Sequence, residues 1–233
     1  MKRNLLNTVL AAALLFQACS SKVYNNKTYL NQVNLEGKRV AILPAEVELT
    51  GRLPNNFSAA KKAQAEESES KLVQAQIYNQ YLFKSKSSKK KAHVELMNVD
   101  QVNSKLQQAG IDIRESWSMD PDSLGKLVGA DMVLRLRVKK NRIMSETASF
   151  GIGVAATVLG NILSSGNNQG TGVSNNAKTY NMFLDATLSD VNTHAVITKF
   201  THDGDASWSR SPEEIVESSG KMIGRKGVIY VRK

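Results

Sequence analysis

The chain predicts an α/β (α+β) fold: a mixed, largely antiparallel sheet with helices on one side, preceded by a signal peptide and a tether. Three observations predict it. An apolar run closed by proline, Lys38 to Pro44, reads as a first strand before a long stretch free of Gly and Pro. Two helix starts, at Asp100 and at Asp120-Pro121, carry cap chemistry and lead to Gly110 and Gly129. The remainder alternates apolar and polar residues over several strand-length windows. The 233 residues are 41% hydrophobic and 22% charged, which suits one globular domain and excludes a multi-span membrane protein or a wholly disordered chain.

The elements follow in order. Met1, Lys2 and Arg3 precede a mostly apolar stretch over 5–16, and Gln17-Ala18 then lead to the only cysteine, Cys19. A basic start, a short apolar core and a small residue before a cut are the parts of a secretory signal. The stretch is too short to span a hydrocarbon core, which needs about 20 apolar residues. Residues 1–18 are therefore expected to be removed, leaving Cys19 at the new amino terminus. Residues 19–36 are polar, rich in Asn and Lys, and read as a tether, so that a single domain would occupy 37–233. Gly51, Pro54 and Asn55-Asn56 mark a loop.

Positions 58–83 contain no Gly or Pro and are dominated by Ala, Lys, Gln and Glu, which favours helix. Leu72, Val73, Gln76, Ile77, Gln80 and Tyr81 give its second half a partly apolar stripe. Lys84, Lys86, Lys89, Lys90 and Lys91 should end it as a solvated loop, or else form a patch for anionic partners. Val94, Leu96 and Val99 alternate as a second strand. Asp100 caps a helix carrying Val102, Leu106 and Ala109, and Asp120 caps one carrying Leu124, Leu127 and Val128. Met132, Leu134, Leu136 and Val138 alternate with Val133, Arg135 and Arg137, as in a strand with one face in the core and one in water. Segments 179–189 and 195–202 read as antiparallel strands joined at 190–193. A short strand at 206–209 is also expected. Ser211-Pro212-Glu213-Glu214 is a capping box for a last helix to about residue 223, and 227–231 could return as a strand.

The apolar segment 148–163 holds no charge and includes Phe150, Ile152, Val154, Val158, Leu159, Ile162 and Leu163. As a helix it would reach about 24 Å, short of a bilayer core. It reads either as an insertion packed on the domain or as a contact for a partner, another copy or the membrane. Residues 164–177, dominated by Ser, Asn and Gly, read as a loop, so the insertion spans 148–177.

Several arrangements could carry chemistry. Gly151-Ile152-Gly153-Val154-Ala155-Ala156 spells a dinucleotide loop, but no apolar strand enters it and no acidic residue follows at the needed distance. No cofactor is expected. His202, Asp203 and Asp205 surround Gly204 and read as a turn rather than a metal site, which would need a further ligand. His93 and His194 have no carboxylate or thiol partner in a recognisable motif. Trp117 and Trp208 read as core or rim residues. One cysteine excludes a thiolate zinc cluster and an internal disulfide, so neither catalytic nor metal residues are assigned. The net charge of +10 suits anionic surfaces. An exported chain rarely meets nucleic acid, and none is expected as a partner.

Two groups of residues carry a family resemblance. Phe16-Gln17-Ala18-Cys19 resembles a bacterial lipobox, which implies lipid attachment to Cys19, outer-membrane anchoring and a periplasm-facing domain. Anchoring by several acyl chains is firm, at about 0.8 kcal/mol per buried CH₂. Ser20-Ser21 after it, with no Asp, gives no inner-membrane retention signal of the enteric type. The helix pattern Leu106, Gly110, Ile111, then Leu124, Gly125, Val128, Gly129, Ala130 and Asp131 before a strand resembles the α/β domain of curli-secretion-channel-type lipoproteins and of TolB amino-terminal domains. It covers about residues 38–138, and Val128 stands where that pattern has Leu. The resemblance implies a non-enzymatic scaffold, assembly or secretion accessory in the cell envelope, working with an envelope protein partner or as a homo-oligomer. The alternatives are a ring-forming channel subunit, or a periplasmic hydrolase or ligand-binding enzyme around His202, Asp203 and Asp205. Two convincing transmembrane hairpins, which a barrel contribution requires, are not legible.

Overall fold

The computed structural model describes residues 20–53, 57–87, 94–142 and 180–204, with the helical positions 216, 217, 220, 221 and 223. The expected class is observed: a mixed sheet layered with helices. The strands are β1 (Ser20–Asn25), β2 (Lys38–Ile42), β3 (Glu46–Gly51), β4 (Val94–Leu96), β5 (Met132–Arg142), β6 (Tyr180–Asp190) and β7 (Val196–Gly204). The helices are α1 (Lys27–Gln32), α2 (Ala59–Ser87), α3 (Val99–Gln108), α4 (Ile113–Ser118) and α5 (Pro121–Val128).

Six of the seven strands run in the order β1-β7-β6-β5-β2-β4, and β3 pairs with β5 off this path. Strand β5 organises them. Its long antiparallel ladder with β6 covers its whole length, from Met132 against Asp190 to Arg142 against Tyr180. Along its other edge lie two parallel strands in succession: β2 beside Met132–Leu134, then β3 beside Arg137–Arg142. Pro44, which cannot donate to a ladder, falls in the break between them. Gly51, expected to open a loop, is the last residue of β3, and Pro54 and Asn55-Asn56 lie outside the described residues. Val47 and Leu49, buried at 2% and 6%, are that strand's buried residues.

Alternation along β5 sorts the core. Met132, Leu134, Leu136 and Val138 face the large cluster with Ile77, Val73 and Tyr81 of α2. Residues Val216 and Ile223 pack there too, and a Cβ on Gly220 would lie 3.1 Å from Gln80, so the terminal helical positions sit tightly on α2. Val133 points the other way. With Ala41 and Leu43 it meets Val102, Leu106, Leu124 and Val128 of α3 and α5. The helices expected on one side are thus extended at this end by a small layer on the second face.

The cap chemistry explains the short helices. Asp120 accepts from the Ser123 N–H at 2.9 Å, Pro121 occupies the first turn, and Gly129 ends α5 at φ +75°. The start of α3 is displaced from expectation: Asn98, not Asp100, is the cap, which takes Val99 out of the preceding strand. Helix α4 was not expected from sequence, although Asp112 caps it through the Glu115 N–H at 2.7 Å. Helix α2 continues through Lys84 and Lys86 to Ser87 instead of ending before the lysines.

The tether reading of 19–36 is corrected. Ser20–Asn25 pairs antiparallel with Thr198–Asp203 of β7, and α1 buries Tyr29 at 8% exposure. Local composition is polar because β1 is an edge strand whose apolar inward side chain is Val23, opposite Phe200. The short strand at 206–209, the strand at 227–231 and most of the last helix lie outside the described residues.

Candidate functional site

Five strands, β1-β7-β6-β5-β3, turn one face toward α2 and the other to solvent. The solvent face is built by alternation in transverse rows. Ser20, Asp203, Phe183, Lys139 and Glu48 align in one row, and Lys22, Thr201, Asp185, Arg137 and Glu46 in the next. Tyr24, Lys199, Thr187 and Arg135 form a third. Arg137 and Lys139 are 60% and 55% exposed, so water covers them.

The charges on this face answer one another. Arg137 Nε donates to Glu46 Oε2 at 2.8 Å, and Arg135 Nη2 approaches the same oxygen at 3.7 Å. Lys139 pairs with Glu48 at 3.3 Å and Lys199 with Asp185 at 2.8 Å. Such open pairs contribute about 0–1 kcal/mol each, so they are not what holds the sheet together. They fix a charge pattern, which governs the register and specificity of a contact more than its affinity. Arg135 also donates to the Met119 carbonyl at 2.8 Å, and burial pulls its pKa below the usual guanidinium value.

A shallow depression of about 220 Å³ lies between Pro121, Arg135, Arg137, Asp185, Thr187, Ser189 and Lys199. It is smaller and more polar than the roughly 300–1,000 Å³ apolar clefts that hold small ligands.

At one end of the face stand Asp122, His194 and Ser189. His194 Nδ1 lies 2.5 Å from Asp122 Oδ2, and the Ser189 hydroxyl donates to Asp122 Oδ1 at 3.2 Å. His194 adopts the left-handed region at φ +59°, uncommon for a side chain, and the Asp122 contact holds it there. No recognisable motif pairs His194 with a carboxylate; the fold brings it Asp122 from 72 positions away. The hydroxyl serves the carboxylate rather than the imidazole, so this is a clasp between α5 and the β6–β7 turn and not a nucleophile–base pair.

Asp131 forms a second clasp. Its Oδ2 accepts the Arg39 N–H at 2.8 Å, its own N–H donates to the Arg39 carbonyl, and its carbonyl accepts from Val191. It ties β2 and the β6–β7 turn to the start of β5.

The remaining candidates separate. His202 and Asp203 lie within β7, not in a turn, and their side chains take opposite faces: His202 is buried while Asp203 is exposed. They do not converge on one site. Trp117 is a half-buried rim residue with the Arg114 guanidinium 5.0 Å over its ring. Cys19, the insertion residues Phe150, Ile152, Val154, Val158, Leu159, Ile162 and Leu163, and His93, Asp205 and Trp208 lie outside the described residues. Among the described residues no group of three or more His, Cys, Asp or Glu could hold a metal, and no helix is long and apolar enough to cross a membrane.

No family model and no curated protein matches the chain. Among solved structures, it is similar to the PelC dodecamer from Paraburkholderia phytofirmans, with 12% identity over 92% of this chain and 99% of that one at a TM-score of 0.40. It is also similar to lipoprotein GNA1162 from Neisseria meningitidis, with 12% identity, 81% and 95% coverage and a TM-score of 0.38. The LpoB C-terminal domain from Salmonella enterica gives 15% identity, 76% and 90% coverage and a TM-score of 0.34.

Proposed function

We propose that this protein is a lipid-anchored, non-enzymatic component of the bacterial cell envelope that scaffolds or assists the assembly or secretion machinery. The observation that carries the reading is the position of Cys19. It ends a lipobox-like run and directly precedes β1, so acylation there would fix the sheet itself, not a loose leader, to the outer membrane. The charge-patterned face then stands in the periplasm as a surface for an envelope protein or a second copy.

Two measurements test this. Radiolabelled palmitate should enter the wild type and not Cys19→Ser; equal labelling, or none in either, contradicts the anchor. Cross-linking in membranes and assembly state in detergent, with and without residues 148–172, then test the scaffold. Monomers in both cases with no cross-linked envelope protein would refute it, and a large ion-conducting ring would favour a channel subunit instead.

A further inference from the structure

The sheet register shows which end of the sheet receives the chain that follows Cys19. Strand β1 begins at Ser20, level with Asp203, Phe183 and Lys139. The amino-terminal end of β1, one position after Cys19 in the sequence, is therefore the end nearer the far ends of β5 and β6. Those strands continue three residues past Lys139 and Phe183, to the pair Arg142–Tyr180. At about 3.3 Å per residue, the paired strands run roughly 10 Å beyond the row at which the anchored chain enters the sheet.

Two observations point to lipid as what lies there. The chain that leaves at Arg142 and returns at Tyr180 has no charged residue between Glu146 and Lys178. Phe183 is 39% exposed, a large apolar ring in an entry row whose other members are Ser20, Asp203, Lys139 and Glu48. An exposed aromatic at the level of an anchor suits the boundary between headgroups and acyl chains.

We infer that the end of the sheet carrying Ser20, Lys139 and Phe183 is apposed to the lipid bilayer. The opposite end, with the β6–β7 turn and α5, points away from it. The inference rests on the proposed acylation of Cys19. It deepens that reading by fixing the orientation: the Asp122–His194 clasp and the Arg135 depression become the membrane-distal surface that a periplasmic partner can reach.

The test uses the full acylated protein. Lipid attachment occupies the native thiol, so a single introduced cysteine can be labelled. An environment-sensitive fluorophore is placed at Lys139→Cys, at Phe183→Cys and at Asn192→Cys, the last in the exposed turn at the other end. Protein whose acylation has been verified by mass is reconstituted on phosphatidylethanolamine/phosphatidylglycerol vesicles containing a headgroup-level spin-labelled lipid. The inference expects loss of fluorescence at 139 and 183 and none at 192. Because Lys139 is on the surface, its variant keeps the test valid should Phe183→Cys disturb packing. Acylated protein that shows no lipid quenching at 139, or equal quenching at 192, overturns the orientation while leaving the anchor intact. Shielding of 139 from a soluble quencher without lipid quenching means that protein covers this end and also overturns it. Protein that carries no acyl group overturns both readings.

Discussion

Tyr29→Phe isolates the docking of the amino-terminal segment on the sheet. The Tyr29 hydroxyl donates to Asp190 Oδ2 at 2.5 Å, across 161 positions of sequence, and both residues are buried. The other carboxylate oxygen, Oδ1, accepts the Asn192 and Thr193 N–H groups and the Thr193 hydroxyl at 2.7–3.0 Å. Removing the phenol therefore strips Oδ2 of its neutral donor and leaves the β6–β7 turn formed. A hydrogen bond to a buried charge is worth about 1.5–3 kcal/mol, so a loss of about 2 kcal/mol is expected at pH 7. For a domain of this size that is a fall in Tm of roughly 4–8 °C.

The pH dependence follows from the same contacts. Burial raises the Asp190 pKa, but the hydrogen bonds from Tyr29, Thr193 and Asn192 outweigh it and bring the carboxyl below its usual value. Its contribution is present above the unfolded value of about 4 and is lost as pH falls through the folded one. The Tyr29 pKa moves up, through burial first and then the neighbouring carboxylate. Its contribution is full below about pH 10 and declines as pH rises further. Wild type should thus exceed Tyr29→Phe in stability at neutral pH, with the gap closing in acid and in strong alkali. Urea and thermal unfolding of the domain without residues 1–18 and with Cys19→Ser measure this. A gap under about 0.5 kcal/mol at pH 7, or one that widens in acid, would refute the reasoning.

Three further outcomes follow from packing and polar contacts. Gly125→Ala would bring a Cβ to 2.5 Å from Val191 and 2.7 Å from Val133, and the overpacking should lower stability by about 1–3 kcal/mol in urea unfolding. Glu69→Gln breaks the ion pair with Lys140 where both side chains are at most 4% exposed, and a loss of about 3–5 kcal/mol is expected in the same assay. Glu66→Ala removes the acceptor of the Leu49 N–H at 2.9 Å and the partner of Arg114, so amide exchange should accelerate in β3 before the rest of the sheet.

What the sequence disclosed was local. Asp120, Pro121 and Gly129 bound α5 through chemistry contained in ten neighbouring positions, and they act as read. The alternation from Met132 to Val138 likewise identified β5 and its wet face. It left open that Val133 is covered by α5, because that depends on a helix packing from the second side. Strand β3 was legible in Val47 and Leu49 but obscured by the Pro and Asn residues that follow. Strand β1 was not: an edge strand with one inward apolar residue looks like a linker until β7 is beside it. The Asp122–His194 contact spans 72 positions, and no spacing rule connects a first-turn carboxylate with a turn histidine. The signal proposed for the anchor is local too, and lies within residues 1–19.

The measurement that tests the account most directly is intact mass with amino-terminal mapping of the protein extracted from outer-membrane fractions. The account predicts a chain that begins at Cys19 and carries covalently attached acyl groups. A chain that retains residues 1–18, or begins elsewhere with an unmodified Cys19, would contradict it.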